Sequence, residues 1–373
     1  MKIALNCIYF TPKAGGIKEY IYNLVSNLES ISHKHKIIYY ITRRQYDDFS
    51  KLVDDKSKIR IFPYEEEQKY LRSIFQQNFW RKEEKKEGFQ IFHSPFFHSP
   101  NFKYANVILT IHDLRFLVYP HTYIFPRLVY LKFQVKRSIK RAKKIIAISE
   151  FTKNEIIKYY KIDPSRIEVI HEAVNKKEFT LENNEKTRTI NGYEIKRDKY
   201  LLAVGHLEPR KNYSHLINAY SKLEVKIKKA YKLIIVGKKD HDFLNTLKEV
   251  EKTKGVIYLD FIPRDDLVWL YSNCKLHVFP SVYEGFGFPC LEAGISGKPT
   301  VGSNQSSIPE IAGEGGIYFN PFLTEDIKDK IEQVLSNDQL YKNLSQRAFI
   351  NTEKFSWYKN AKDTLKIYNH FEK

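Results

Sequence analysis

Short apolar runs alternate with longer amphipathic stretches along most of the chain, the pattern of strand–helix–strand units that build a parallel sheet. In the first half, Ile3–Tyr9, Lys36–Ile41, Ile59–Phe62, Ile91–His93, Val107–Ile111, Lys144–Ile148 and Arg166–Ile170 read as strands. After the first of them, Ile17, Tyr20, Ile21, Leu24, Val25 and Leu28 fall on one helical stripe. Ser149 is placed to cap a helix running through Tyr160, with Glu150, Thr152 and Glu155 in its first turns. Residues 176–198 are polar and show no clear period, and the stretch from Asn183 to Arg188 reads as an exposed linker. A second series follows, with strands at Tyr200–Val204, Lys232–Val236, Val256–Tyr258, Leu276–Phe279, Thr300–Val301 and Ile317–Phe319. Tyr358, Ala361, Leu365 and Tyr368 mark a final helix. The pattern predicts two doubly wound α/β domains, 1–185 and 186–355, with a terminal segment 356–373 that returns to the first domain. Ligands of such sheets bind beyond the carboxyl ends of the strands, so the two domains are expected to face each other across a shared cleft.

Composition narrows the class. A chain of 373 residues with 42% hydrophobic and 28% charged residues suits two packed domains. Cys7, Cys274 and Cys290 form neither a CxxC pair nor an even-numbered framework, which points to a reducing compartment and no structural zinc. The start, Met1 to Leu5, runs into a strand broken by Asn6 and does not read as a signal peptide. No stretch approaches the roughly 18 apolar residues of a membrane span, so a cytoplasmic protein is expected. The net charge of +18 favours an anionic partner, although a lysine-rich solvated surface accounts for it equally well. No finger, RRM or helix-turn-helix signature is present, which sets nucleic acid aside. Between Arg127 and Lys144 there are eight basic residues and no acidic one: Arg127, Lys132, Lys136, Arg137, Lys140, Arg141, Lys143 and Lys144. Tyr130, Leu131, Phe133 and Val135 are interleaved, so the segment fits either a solvated helix face or a site for anionic lipid headgroups.

Four segments carry candidate chemistry. From Pro280 to Ala293 an apolar strand gives way to a loop with two glycines and two phenylalanines, and a helix opens near Pro289. Backbone N–H groups at a helix start suit phosphate, and Gly285 and Gly287 allow a ligand close to the backbone. Glu284 and Glu292 lie eight positions apart, and Glu292 is flanked by apolar residues where a carboxylate needs a partner. A plain helix entry with one capped glutamate also fits. The second segment, Val204 to Asn212, ends a strand and adds Arg210 and Lys211, cations able to neutralise a diphosphate leaving group or simply to form a solvated turn. The third, Thr11 to Ile17, has a glycine pair at a strand–helix junction and fits a phosphate cradle or a simple turn. The fourth places His112 and Asp113 at a strand end, where the histidine can donate to a sugar or serve structure alone.

Together and in this order, these segments resemble the retaining glycosyltransferases of family 4, with the GT-B fold of two Rossmann-like domains. The family's Glu-x7-Glu motif matches Glu284 and Glu292 with the intervening Gly-Phe-Gly-Phe-Pro. Ala147 to Thr152, Val204 to Asn212 and Ser307 to Glu310 match as well. The resemblance implies that Gly15 and Gly16 contact the donor diphosphate and His112 the transferred sugar. It assigns Lys211 to the phosphates, Glu284 to the donor sugar, Glu292 to the nucleoside ribose, and the backbone of Gly285, Phe286, Gly287 and Phe288 to sugar hydroxyls and phosphate. His206 stands where many members carry arginine, and Arg210 is the candidate to supply that charge. The resemblance further implies no metal or other cofactor, and Asp240-His241-Asp242 reads as a surface loop. The run Leu207 to Asn212 is similar to mannosyl- and rhamnosyl-transferring members, which favours GDP-mannose over a UDP- or dTDP-sugar. The expected acceptor is a lipid-linked or saccharide intermediate of surface polysaccharide or lipopolysaccharide, reached from the inner face of the plasma membrane. A sugar-nucleotide epimerase shares the two-domain plan but lacks the Glu-x7-Glu loop. A phosphorylase-like enzyme needs a cofactor-lysine context that the chain lacks. The non-enzymatic alternative is a basic membrane- or nucleic-acid-binding protein.

Overall fold

A computed structural model describes residues 1–10, 16–65, 69–179, 185–240 and 243–372. The chain divides into two compact units, Met1–Glu172 with Ser356–Lys373, and Ala173–Phe355.

The first unit holds a seven-stranded sheet of β1 (Lys2–Asn6), β2 (Lys36–Thr42), β3 (Ile59–Phe62), β4 (Ile91–Ser94), β5 (Asn106–Ile111), β6 (Lys144–Ala147) and β7 (Ile167–Val169). The order is β3-β2-β1-β4-β5-β6-β7, and every pairing is parallel. Its central strands are buried apolar runs, as expected where helices cover both faces. Ser149 caps the helix Glu150–Tyr160, its hydroxyl accepting from the Thr152 N–H at 3.1 Å. The last helix, Trp357–Asn369, lies on this unit. Trp357 meets Tyr20 edge-on at 5.8 Å, and the Asn360 amide donates to the His171 carbonyl at 2.8 Å.

The second unit has a hairpin of β8 (Thr187–Ile190) and β9 (Tyr193–Lys196). A parallel sheet follows, of β10 (Tyr200–Val204), β11 (Lys232–Val236), β12 (Val256–Leu259), β13 (Leu276–Phe279), β14 (Thr300–Ser303) and β15 (Gly316–Phe319). Its order is β12-β11-β10-β13-β14-β15. Alternate residues of the strands enter two separate cores, Leu201, Ala203, Leu233 and Ile235 on one side and Tyr200, Leu202, Ile234 and Val236 on the other. In both sheets the order reverses beside the strand that opens the βα series, at β1/β4 and at β10/β13. Crevices at such reversals are where doubly wound sheets bind ligands.

Two boundaries differ from the sequence reading. Thr187 and Arg188, the end of the stretch Asn183–Arg188 read as a linker, instead open β8, and Asn191 (φ 48°) and Gly192 (φ 81°) form a two-residue turn whose twist suits a tight hairpin. Ile190 and Ile195 of that hairpin, with Phe179, enter the core of the second unit. The unit boundary therefore falls at Glu172, ahead of residue 185.

Candidate active site

The loops after β10 and β13, on the two sides of the second unit's reversal, are joined by a buried charge cluster. Pro209–Lys211 forms a single tight helical turn, which Asn212 ends in the left-handed region (φ 57°). The Asn212 amide donates to the Pro321 carbonyl at 2.7 Å and anchors that turn. Lys211 Nζ lies 2.6 Å from Glu284 Oε1, and Arg210 Nη1 lies 2.9 Å from Glu284 Oε2. Arg210 also pairs with Glu208 at 2.5 Å and donates to the Tyr283 carbonyl at 2.9 Å. The Val282 N–H donates to the Arg210 carbonyl at 2.8 Å, so the backbones of the two loops are tied as well. Lys211 Nζ sits 5.2 Å from the centre of the Phe279 ring. Gly205 (φ 150°) permits this packing, because a Cβ there would stand 2.8 Å from Lys211 Cε.

The electrostatics follow from burial and partners. Burial pushes the Glu284 carboxyl up, but the Arg210 and Lys211 charges outweigh it and hold the group at about 2. Burial also works against the Arg210 charge, which Glu284 and Glu208 more than restore. Burial draws Lys211 below the ordinary lysine range despite Glu284. Each Glu284 oxygen accepts from one cation, Lys211 on Oε1 and Arg210 on Oε2.

Beyond Glu284 the loop is held by neighbouring serines. The Glu284 N–H donates to Ser306 Oγ at 3.1 Å, and Ser307 Oγ donates to the Glu284 carbonyl at 3.0 Å. Gly287 (φ 117°) turns the chain into the helix Phe288–Ile295, with Pro289 in its first turn, where a missing N–H costs nothing. The Phe286 ring is buried against Phe288 and Phe355, and its carbonyl accepts from Ser307 Oγ. Glu292 is buried in the helix and accepts from Arg264 Nη1 at 2.8 Å. Arg264 also pairs with Glu178 at 3.0 Å and lies 5.1 Å from the Phe179 ring centre.

His206, with a side chain 57% exposed, lies 3.5 Å from Asp240 and outside the Glu284 cluster. Gly16 is the exposed first residue of the helix Gly16–Ser30. Gly15, like His241 and Asp242, is outside the described residues. His112 follows β5 in the first unit, with Nδ1 2.9 Å from Glu172 Oε1 and Nε2 3.2 Å from the Pro95 carbonyl. Sequence reasoning missed Glu172, Ser306, Glu208 and Arg264. Only Glu208 stood inside a recognised segment, and no spacing linked the other three to their partners.

The basic segment forms the helix Phe125–Arg141 and the start of β6. Leu128, Val135, Ser138 and Ile139 face the core, while Ile124, Phe125, Val129, Tyr130 and Phe133 are exposed. Arg127, Lys132, Lys136, Arg137, Lys140, Arg141 and Lys143 are exposed with them. Lys144 does not belong to this face. As the first residue of β6 it pairs with Glu168 Oε1 at 2.9 Å and donates to the Ser165 carbonyl.

Residues 14–178 match the model of Glycosyltransferase Family 4, and residues 185–350 match that of Glycosyl transferases group 1. The chain is 31% identical over 281 residues to the O-antigen chain mannosyltransferase B of Escherichia coli, covering 74% of each chain. It belongs to glycosyltransferase family 4. It is also 33% identical over 219 residues to the O-antigen chain mannosyltransferase RfbU of Salmonella typhimurium, covering 58% of this chain and 57% of that one. The solved structure of Anabaena HepE in complex with UDP and glucose superposes with a TM-score of 0.74 over the whole of both chains, at 14% identity. The fold is thus GT-B, and the protein is a glycosyltransferase. The Glu284 cluster lies in the half that matches the group 1 model, and His112 in the half that matches the family 4 model. Among the described residues, no helix is long and apolar enough to cross a membrane.

Proposed function

We propose that this enzyme transfers mannose from GDP-mannose, with retention at the anomeric carbon, to a lipid-linked or saccharide acceptor in surface polysaccharide synthesis. The observation that carries the proposal is the buried Lys211–Glu284–Arg210 cluster at the β10/β13 reversal, in a chain related to O-antigen mannosyltransferases. The bond from the anomeric carbon to the diphosphate breaks and its electron pair leaves with the diphosphate. Lys211 and Arg210, with the positive end of the helix Phe288–Ile295, offset that charge without a metal ion. Glu284 keeps the two cations in place and accepts from a hydroxyl of the transferred sugar. The acceptor oxygen attacks from the face that the leaving group vacates, and its proton passes to the donor phosphate. Glu292, held by Arg264, accepts from the ribose hydroxyls.

The exposed apolar residues of the helix Phe125–Arg141, ringed by seven cations, support peripheral docking on an anionic membrane, where a lipid-linked acceptor resides.

The test is a panel of GDP-mannose, UDP-hexoses and dTDP-sugars, scored by protection against thermal unfolding and by nucleotide release with a polyprenyl-diphosphate saccharide acceptor. GDP-mannose should protect most and turn over only with acceptor. Protection and turnover by a UDP- or dTDP-sugar, with none by GDP-mannose, would overturn the donor assignment.

A further inference from the structure

We infer that Glu172 is a positioning residue for His112, fixing the orientation and the double protonation of its ring so that it acts as a hydrogen-bond donor and not as a base. The Pro95 oxygen 3.2 Å from Nε2 is a carbonyl and can only accept, so Nε2 carries a hydrogen. Nδ1 lies 2.9 Å from a carboxylate oxygen of Glu172, which is also an acceptor. A neutral ring with its hydrogen on Nε2 would turn a bare Nδ1 lone pair toward that carboxylate. The arrangement that satisfies both contacts is an imidazolium clamped between Pro95 and Glu172. Glu172 is almost fully buried and His112 largely so, which makes the pairing specific and insulated from water.

The surroundings favour this state. Burial pulls the His112 ring down, but the hydrogen bond and charge of Glu172 outweigh it, with the Pro95 carbonyl and Asp113 adding in the same direction. Across the site, His93 on β4 is pushed to about 3 by burial and stays neutral, so it adds no competing charge. Tyr20, edge-on to His112 at 5.0 Å, is raised by burial and stays protonated. The inference rests on the reading that His112 meets the transferred sugar. On arrival of that sugar, the Nε2–H turns its hydrogen bond from the Pro95 carbonyl to a sugar hydroxyl oxygen and keeps its hydrogen, while Nδ1 remains clamped.

The decisive measurement is the ring nitrogen shifts of His112 against pH by NMR of the full chain without substrate, assigned with His112→Asn. Both nitrogens should be protonated at neutral pH, with a transition above the ordinary histidine value of about 6.5. Glu172→Gln keeps the acceptor and loses the charge, and should lower that transition by about one pH unit or more. Glu172→Asp should restore part of the shift. The alkaline limb of kcat should move with it, while the donor KM changes little. A bare ring nitrogen at neutral pH in the unmodified protein would overturn the proposal, and so would an unmoved transition in a Glu172→Gln protein that melts normally. If Glu172→Gln does not fold, the unmodified protein and Glu172→Asp decide the matter. A transition that moves while kcat does not would leave the clamp standing and overturn the reading that His112 meets the sugar.

Discussion

Lys211 and Glu284 meet at 2.6 Å across 73 residues of sequence, and the contact closes the loop after β10 onto the loop after β13. Both side chains are buried, and Arg210 occupies the other carboxylate oxygen. The pair is therefore both a fastening between two loops and a store of fixed, buried charge.

Replacing Lys211 by Ala should act on stability and on binding together. It leaves Glu284 with one cation instead of two, and loss of one partner of a buried pair costs about 3–5 kcal/mol when nothing else compensates. Arg210 remains, so the low end of that range is expected. Calorimetric melts and titration with GDP should show a lower Tm and a weaker nucleotide affinity, with turnover reduced in parallel. Unaltered affinity and turnover would remove Lys211 from the phosphate site.

Acid sensitivity tests the charge of Glu284. Its folded-state pKa of about 2 lies below its ordinary 4.5, so the folded state favours the ionised form. The resulting stability is fully present above about pH 4.5 and is lost as the pH falls toward 2. Urea unfolding of the unmodified protein should therefore weaken across that window. Glu284→Gln should start less stable at neutral pH and show a shallower loss. Equal slopes for the two proteins would mean that Glu284 does not titrate in this way.

The two glutamates of the motif should separate in steady-state kinetics. A ribose-binding carboxylate serves ground state and transition state alike, so Glu292→Gln should raise the donor KM more than it lowers kcat. Arg264→Ala should reproduce part of that effect, because Arg264 holds the Glu292 carboxylate. Glu284→Gln should lower kcat by about two to three orders of magnitude, equivalent to roughly 3–4 kcal/mol. His206→Ala should change little, since the side chain is exposed and outside the cluster. The reverse pattern for the two glutamates would exchange their roles.

Membrane docking predicts a graded response on the helix Phe125–Arg141. Each cation near an anionic bilayer contributes about 1 kcal/mol, so Lys136→Glu with Lys140→Glu should reduce co-sedimentation with anionic vesicles by more than tenfold at low salt. Phe125→Ser with Phe133→Ser should weaken the binding that survives at high salt. Lys144→Ala should have no effect, because that side chain is committed to Glu168. Equal binding to neutral and anionic vesicles would argue against this face.

Most of the fold was legible because buried parallel strands are short, largely apolar runs, and most of the main-sheet strands stood out in that way, even where a polar residue interrupts them, as Arg60 does in β3 and Glu168 in β7. The hairpin of β8 and β9 was not, since most of its residues are exposed and only Ile190 and Ile195 are buried. The Asn191-Gly192 pair between them was the one local signal of a turn. The candidate site was legible where its residues sit inside motifs with fixed spacing, as Glu284 and Glu292 do. Partners supplied by the fold left no such trace. Glu172 meets His112 from 60 residues away, and Arg264 meets Glu292 from 28. Lys144 was misplaced for the opposite reason, because composition counts it with its basic neighbours while the strand start turns it toward Glu168.

The return of the helix Trp357–Asn369 to the first unit has a consequence for biosynthesis. Residues 173–355 form one compact unit from a single uninterrupted stretch of chain, whereas the first unit is built from two stretches that flank it. The other unit begins first yet is completed only after all of 173–355 has been made, because Tyr368, whose hydroxyl meets His93 at 2.6 Å, follows that stretch in the chain. Until the helix Trp357–Asn369 has emerged, His93 lacks its hydroxyl partner and Tyr20 lacks the edge of Trp357, so the first sheet carries an uncovered face through the synthesis of the whole second unit.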